Sequence, residues 1–179
     1  MSRKNRNFCN GEKKFCLLGV ETIVWMAMAI IDQLNTLGIQ IPPVPPALAA
    51  YIPSKRTGNL IFTSGQLPLV GGKLRKTGKV GAQITLAEAK EEAKQCLLNA
   101  LSTLLLHIDS LDQIKSVIKL GVYVAGAETF TEQHLVANGA SELVAEIFGE
   151  KGKHARFAIG VSSLPLDACV ELEMTVEVE

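Results

Sequence analysis

An excess of charge of either sign is missing from this chain: 18 Lys and Arg stand against 18 Asp and Glu in 179 residues, a formal charge of +0. Without a net positive field there is nothing to draw in a polyanion, which disfavours a dedicated nucleic-acid binder. Aromatics are also few, at 5%. Trp25, Tyr51, Tyr123 and six Phe leave little of the stacking platform that single-strand binders use. The four cysteines, Cys9, Cys16, Cys96 and Cys169, form no C-x-x-C pair and have no His at zinc spacing, so no metal site is expected. A disulfide frame would be odd in a chain with this much core, and free thiols in a reducing cytoplasm are the simplest reading.

A clean membrane span is lacking too. The longest apolar run, 15–31, contains Glu21 and falls short of the roughly 20 apolar residues a spanning helix needs. Behind basic residues Arg3, Lys4, Arg6, Lys13 and Lys14 it imitates an export signal, with a weak apolar region. Ile30, Ile31, Leu34 and Leu37 then recur at helical spacing before Gly38, and the folded domain is expected to begin there. Residues 1–28 are read as an N-terminal extension, with Met26 or Met28 a candidate natural start, and residues 29–179 as one domain.

What is present is an ordinary globular composition, 47% hydrophobic and 20% charged. Pro42, Pro43, Pro45 and Pro46 make a stiff extended connector into Tyr51. A strand is expected at 58–65 and a hairpin about Gly71-Gly72. Thr85 and Glu88 spell a capping box, after which Leu86, Ala89, Ala93, Leu97, Ala100, Leu101 and Leu104 predict a helix reaching about residue 107. A strand at 117–124, a helix at 131–148 closed by Gly149, and strands at 156–161 and 169–179 complete the order β-β-β-α-β-α-β-β. This order argues an α+β fold, one mixed sheet covered on one face by two helices.

The last strand alternates strictly, with Val170, Leu172, Met174, Val176 and Val178 on one face and Glu171, Glu173, Thr175 and Glu177 on the other. In the strand before it, Phe157, Ile159 and Val161 are assigned to the apolar face, and Arg156, Ala158 and Gly160 to the polar one. The short connection suggests a hairpin whose paired numbers sum to 327, with Phe157 opposite Val170 and Arg156 opposite Glu171. Taken alone, that charge pair reads as a cross-strand ion pair on a solvated face.

Two stretches of the chain resemble the signatures of the RidA family, also called YjgF or endoribonuclease L-PSP. Gly58-Asn59-Leu60-Ile61-Phe62-Thr63-Ser64-Gly65-Gln66 with Pro68 is similar to its N-terminal signature. Ala155-Arg156 through Leu164-Pro165 to Val170-Glu171-Leu172-Glu173 is similar to its C-terminal one. The resemblance implies a chorismate-mutase-like fold, a homotrimer with sites between subunits, and hydrolysis of 2-imino or enamino acids, such as 2-aminoacrylate, to 2-oxo acids and ammonia. It implies no metal and no cofactor. The alternatives are a non-catalytic sensor of small carboxylates and an RNA-acting member of the family; neither a membrane nor a nucleic-acid partner is expected.

By this likeness Arg156 grips the substrate carboxylate and Glu171 orients or deprotonates the attacking water. Tyr51 closes the cleft from the neighbouring subunit, and Ser64, Gly65, Ala158 and Asn138 line it. Each has a plainer alternative: Tyr51 packing the connector, Ser64-Gly65 ending a strand, and Asn138-Gly139 marking a local irregularity in the helix. His107, His134 and His154 share no metal spacing and read as surface or helix-end residues. Ala158 stands where the family has Cys, and Ala49-Ala50-Tyr51-Ile52-Pro53 replaces a Gly-Pro-Tyr-Ser-Gln-like segment, marking a divergent branch.

Overall fold

Thr85 opens the longest helix among the described residues. In the computed structural model, which describes residues 29–44 and 50–179, its hydroxyl accepts the Glu88 N–H, and the Glu88 carboxylate accepts the Thr85 N–H. This helix, α2 in chain order (Leu86–Leu104), turns Ala89, Ala93, Leu97, Ala100, Leu101 and Leu104 into the core. It stops short of residue 107 because its end tightens: Leu105, Leu106 and His107 each donate to a carbonyl three residues back. The Ser102 and Thr103 hydroxyls likewise donate to the Asn99 and Ala100 carbonyls.

Before it come α1 (Ile30–Thr36), β1 (Ser54–Thr57), β2 (Leu60–Thr63), β3 (Leu69–Val70) and β4 (Lys73–Leu74). After it come β5 (Ile114–Ala125), α3 (Gln133–Phe148), β6 (Ala155–Val161) and β7 (Val170–Val178). The main sheet has the mixed order β1-β2-β7-β5-β6, and β3-β4 is the small hairpin expected at Gly71-Gly72. The helices α2 and α3 cover one face of the sheet, so the α+β class with one mixed sheet under two helices is the observed architecture. The expected extension at 1–28 and part of the proline connector lie outside the described residues.

Strand β1 escaped the sequence reading because Ser-Lys-Arg-Thr buries only Ser54 and carries no hydrophobic alternation. Helix α3 runs without a break through Asn138-Gly139; a Cβ at 139 would overlap the Lys90 carbonyl, so Gly139 marks the close crossing of the two long helices. At its end Gly149 takes φ 55°.

The hairpin expected between the last two strands does not form. β5 lies between them, paired antiparallel to β7 and parallel to β6. The connection crosses over β5 through a short helical turn, Pro165–Asp167, in which Leu166 and Asp167 have φ of 57° and 60°. The faces of β6 are also the reverse of those expected. Arg156, Ala158 and Gly160 are in register with Leu120, Val122 and Val124, whose side chains lie under the helices. Phe157 and Ile159 are in register with Gly121 and Tyr123 on the other face, with Glu173 and Glu171 beyond them on β7. A Cβ at 121 would meet both the Phe157 ring and Glu173, and the glycine leaves room for that ring to lie across the sheet.

Candidate active site

The seven residues singled out from the sequence separate into two groups on one chain. The first gathers where β2 ends against the start of β7. Gln66 pairs with Leu172 by two backbone hydrogen bonds, of 2.7 and 3.0 Å, and holds Gly65 beneath Glu171. The contact is so close that a Cβ at 65 would overlap the Glu171 carboxylate. Ser64 donates its hydroxyl to the Ile52 carbonyl at 2.7 Å and its N–H to the Pro53 carbonyl at 2.8 Å, tying the segment after Tyr51 to the same corner. Tyr51 is half exposed.

Glu171 is half-buried on the face the helices leave uncovered, in register with Tyr123. Burial, and then the negative charge of Glu173, push its carboxyl above the ordinary range. Burial and the same two carboxylates push the Tyr123 phenol up as well. A carboxyl raised in this way holds its proton more readily than an ordinary one, which suits it to exchanging a proton with a substrate.

The second group is built on α3 and β6. Arg156 donates from Nη1 to Asn138 Oδ1 at 2.9 Å and to Ser141 Oγ at 3.0 Å. Asn138 therefore lies beside Arg156. Ala158, two residues along the same face, packs at the edge of the core. Arg156 is exposed, and it enters no ion pair among the described residues. Both hydrogens of Nη1 are taken by neutral acceptors, which leaves the Nε–Nη2 edge as a two-pronged donor with the full positive charge.

The expected Arg156–Glu171 pair is therefore absent within one chain. Sequence reasoning passed over Ser141 and read His154 only as a surface or helix-end residue, whereas it is part-buried and bonded on both ring nitrogens. Ser141 Oγ lies 3.0 Å from His154 Nε2, and His154 Nδ1 lies 2.6 Å from the Gly152 carbonyl. The available signals were the spacing of Asn138 and Ser141, three apart on one helix, and a His two residues before Arg156. His107 does end a helix, near the Ser54 carbonyl, and His134 is exposed. A surface hollow of about 460 Å³ lined by Lys79, Phe130, Gln133, Gly160 and Ser162 contains none of the seven. Cys96 and Cys169 are free and buried, and no helix among the described residues is long and apolar enough to cross a membrane.

A model of the family described as "YjgF/chorismate_mutase-like, putative endoribonuclease" matches residues 32–178. Protein TCP17 of Trypanosoma cruzi is 41% identical over 151 residues, covering 83% of this chain and 93% of that protein. A RutC family protein of Pyrococcus horikoshii is 33% identical over 129 residues, covering 72% and 87%. Among solved structures, a protein of unknown function from Agrobacterium tumefaciens superposes with a TM-score of 0.78 at 42% identity, covering 84% of this chain and 92% of its own.

Proposed function

The chain belongs to the YjgF/chorismate mutase-like family, and from that premise we propose that it is a hydrolytic deaminase of 2-imino and enamino acids, such as 2-aminoacrylate. Its sites would be the clefts between subunits of a homotrimer, each joining Arg156 of one copy to Glu171 of the next. The observation that carries this reading is the state of Arg156: held by neutral acceptors, it presents a charge and a two-pronged edge that no other described residue engages. The separation of Glu171 from Arg156 within one chain favours a site shared by two copies. The uncovered sheet face adds to this, since Phe62 and Ile159 there are 43% and 46% exposed and would be covered by packing against other copies.

In this reaction Arg156 fixes the carboxylate, so that C2 of the protonated imine is presented to one water. Glu171 takes a proton from that water as its oxygen bonds to C2, giving a carbinolamine. The proton then passes from Glu171 to the nitrogen, the C2–N bond breaks as the carbinol O–H gives its proton back to Glu171 and its electrons form the C2=O bond, and the departing ammonia takes that proton to leave as ammonium beside the 2-oxo acid. Tyr51 would close the cleft, and Ser64 and Gly65 would seat the carboxyl of Glu171.

The test adds this chain to a PLP-dependent serine dehydratase and follows pyruvate as 2-aminoacrylate is released. Hydrolysis faster than the spontaneous rate is expected, together with a trimer by light scattering. A rate equal to the spontaneous one overturns the enzyme reading, and a monomer at micromolar concentration overturns the shared site.

A further inference from the structure

Behind Arg156 runs a chain of hydrogen bonds whose direction is fixed at its far end. A carbonyl oxygen can only accept, so the proton between Gly152 O and His154 Nδ1 is on the imidazole. A ring protonated at Nδ1 alone accepts at Nε2, and in that tautomer the hydroxyl of Ser141 donates its single proton to it. With that proton committed, Ser141 Oγ has only lone pairs to offer Arg156, and it receives one Nη1 hydrogen while Asn138 Oδ1 receives the other.

We infer that Ser141 and His154 are positioning residues that aim the free edge of Arg156 at the substrate carboxylate without neutralising it. This rests on the proposed role of Arg156 as the carboxylate grip. Neither residue is among those the family resemblance implies. The end of the chain is rigid, because Gly152 is buried at the close of a short helical turn, where a Cβ would sit 2.7 Å from the Val144 carbonyl. The helix supplies the other fixed point, since Asn138 and Ser141 lie on one face of α3. A carboxylate in place of this neutral brace would hold the guanidinium equally well but would consume the charge an anion needs. The arrangement instead fixes one Nη while leaving the Nε–Nη2 edge to recognise an anion.

The experiment uses the full chain with Ser141→Ala, Ser141→Thr, His154→Ala and His154→Gln, and measures pyruvate affinity by calorimetry, kcat and KM for 2-aminoacrylate, and thermal melting. Imidazole nitrogen shifts report the His154 tautomer. The two alanine variants should weaken pyruvate binding and raise KM by roughly 5- to 20-fold with kcat nearly unchanged. Threonine, which keeps the hydroxyl, and glutamine, whose Oε1 can accept in place of Nε2, should recover most of the loss. Alanine variants that bind pyruvate as tightly as wild type, while the wild type hydrolyses the imine, overturn the brace and leave the deaminase reading standing. A wild type that binds pyruvate but does not accelerate hydrolysis fails the deaminase reading, while weaker binding by the alanine variants still upholds the brace. A proton on Nε2 in place of Nδ1 overturns the direction of the chain. If His154→Ala does not fold, Ser141→Ala carries the same comparison.

Discussion

Arg156 and Glu171 point to opposite faces of the same sheet. Their strands are separated by β5, and Glu171 is level with Ile159, three residues along from Arg156. Two strand spacings and a three-residue offset place their Cα atoms roughly 14 Å apart. No side-chain rotamer closes that gap across the plane of a sheet. If both residues serve one reaction, they belong to different copies.

If the site is shared, it should be rebuilt from two impaired proteins. Arg156→Ala alone should lose the carboxylate grip, raising KM by the equivalent of about 1.5–3 kcal/mol. Glu171→Gln alone should lower kcat by roughly 10²–10⁴. Unfolded together in equal amounts and refolded, they should recover roughly a quarter of wild-type activity, the chance that a given interface receives an intact residue from each side. Separately refolded controls should show no gain over each variant alone, assayed at a substrate concentration below the raised KM. No recovery in a mixture shown to contain hybrid assemblies would place the chemistry within one chain.

Gly65 should be needed for the position of a carboxyl more than for stability. A methyl group there displaces the end of the flexible Glu171 side chain. Gly65→Ala is expected to cost less than about 1.5 kcal/mol in unfolding measurements. It should lower kcat by roughly tenfold or more, because a reacting group moved by about 1 Å loses its alignment. Wild-type turnover in a folded Gly65→Ala protein would remove Glu171 from the chemistry.

Most of the elements were legible because they announce themselves locally. Thr85 with Glu88 starts α2, and the alternation of Val170 to Val178 sorts the two faces of β7 correctly. The pairing of β6 was not legible, because a two-residue period says which side chains share a face but not which strand lies alongside. The faces of β6 were misassigned for a related reason: on an edge strand, Arg156 can sit on the helix side and still reach solvent past α3, while Phe157 lies over Gly121 on the open side. Ser141 and His154 gave little signal, being 13 residues apart and joined only by the turn that ends α3. The seven candidate residues came from the sequence and its family resemblance, but their division into two groups needed the sheet order.

Glu173 should tune the acid limb of the pH profile. It adds to burial in raising the Glu171 carboxyl, so Glu173→Gln removes a repulsion that disfavours the ionised form. The acid limb of kcat should move to lower pH, with little change at the alkaline side. A limb that stays in place in Glu173→Gln, or moves upward, would mean that Glu171 is not the group titrating.

Glu88 and Glu92, one turn apart on α2, should give opposite pH signatures in stability. Glu88 accepts from Lys76 at 2.8 Å and from Thr85, and its carboxyl is pushed down to about 2. A lowered folded value contributes stability above the unfolded one, lost as pH falls toward 2. Glu92 is only 2% exposed; Arg75 meets Oε1 at 3.0 Å, but Oε2 has no partner among the described residues. Burial outweighs Arg75 and raises this carboxyl, so its contribution is fullest below the unfolded value and declines as pH climbs through the folded one. At pH 7, Glu88→Gln should therefore lower the melting temperature. Glu92→Gln should raise it, and the gain should vanish below about pH 4 as the wild-type carboxyl protonates in both states. Melting curves at several pH values decide this. A Glu92→Gln protein less stable than wild type at pH 7 would show that the Arg75 pair outweighs the burial of the charge.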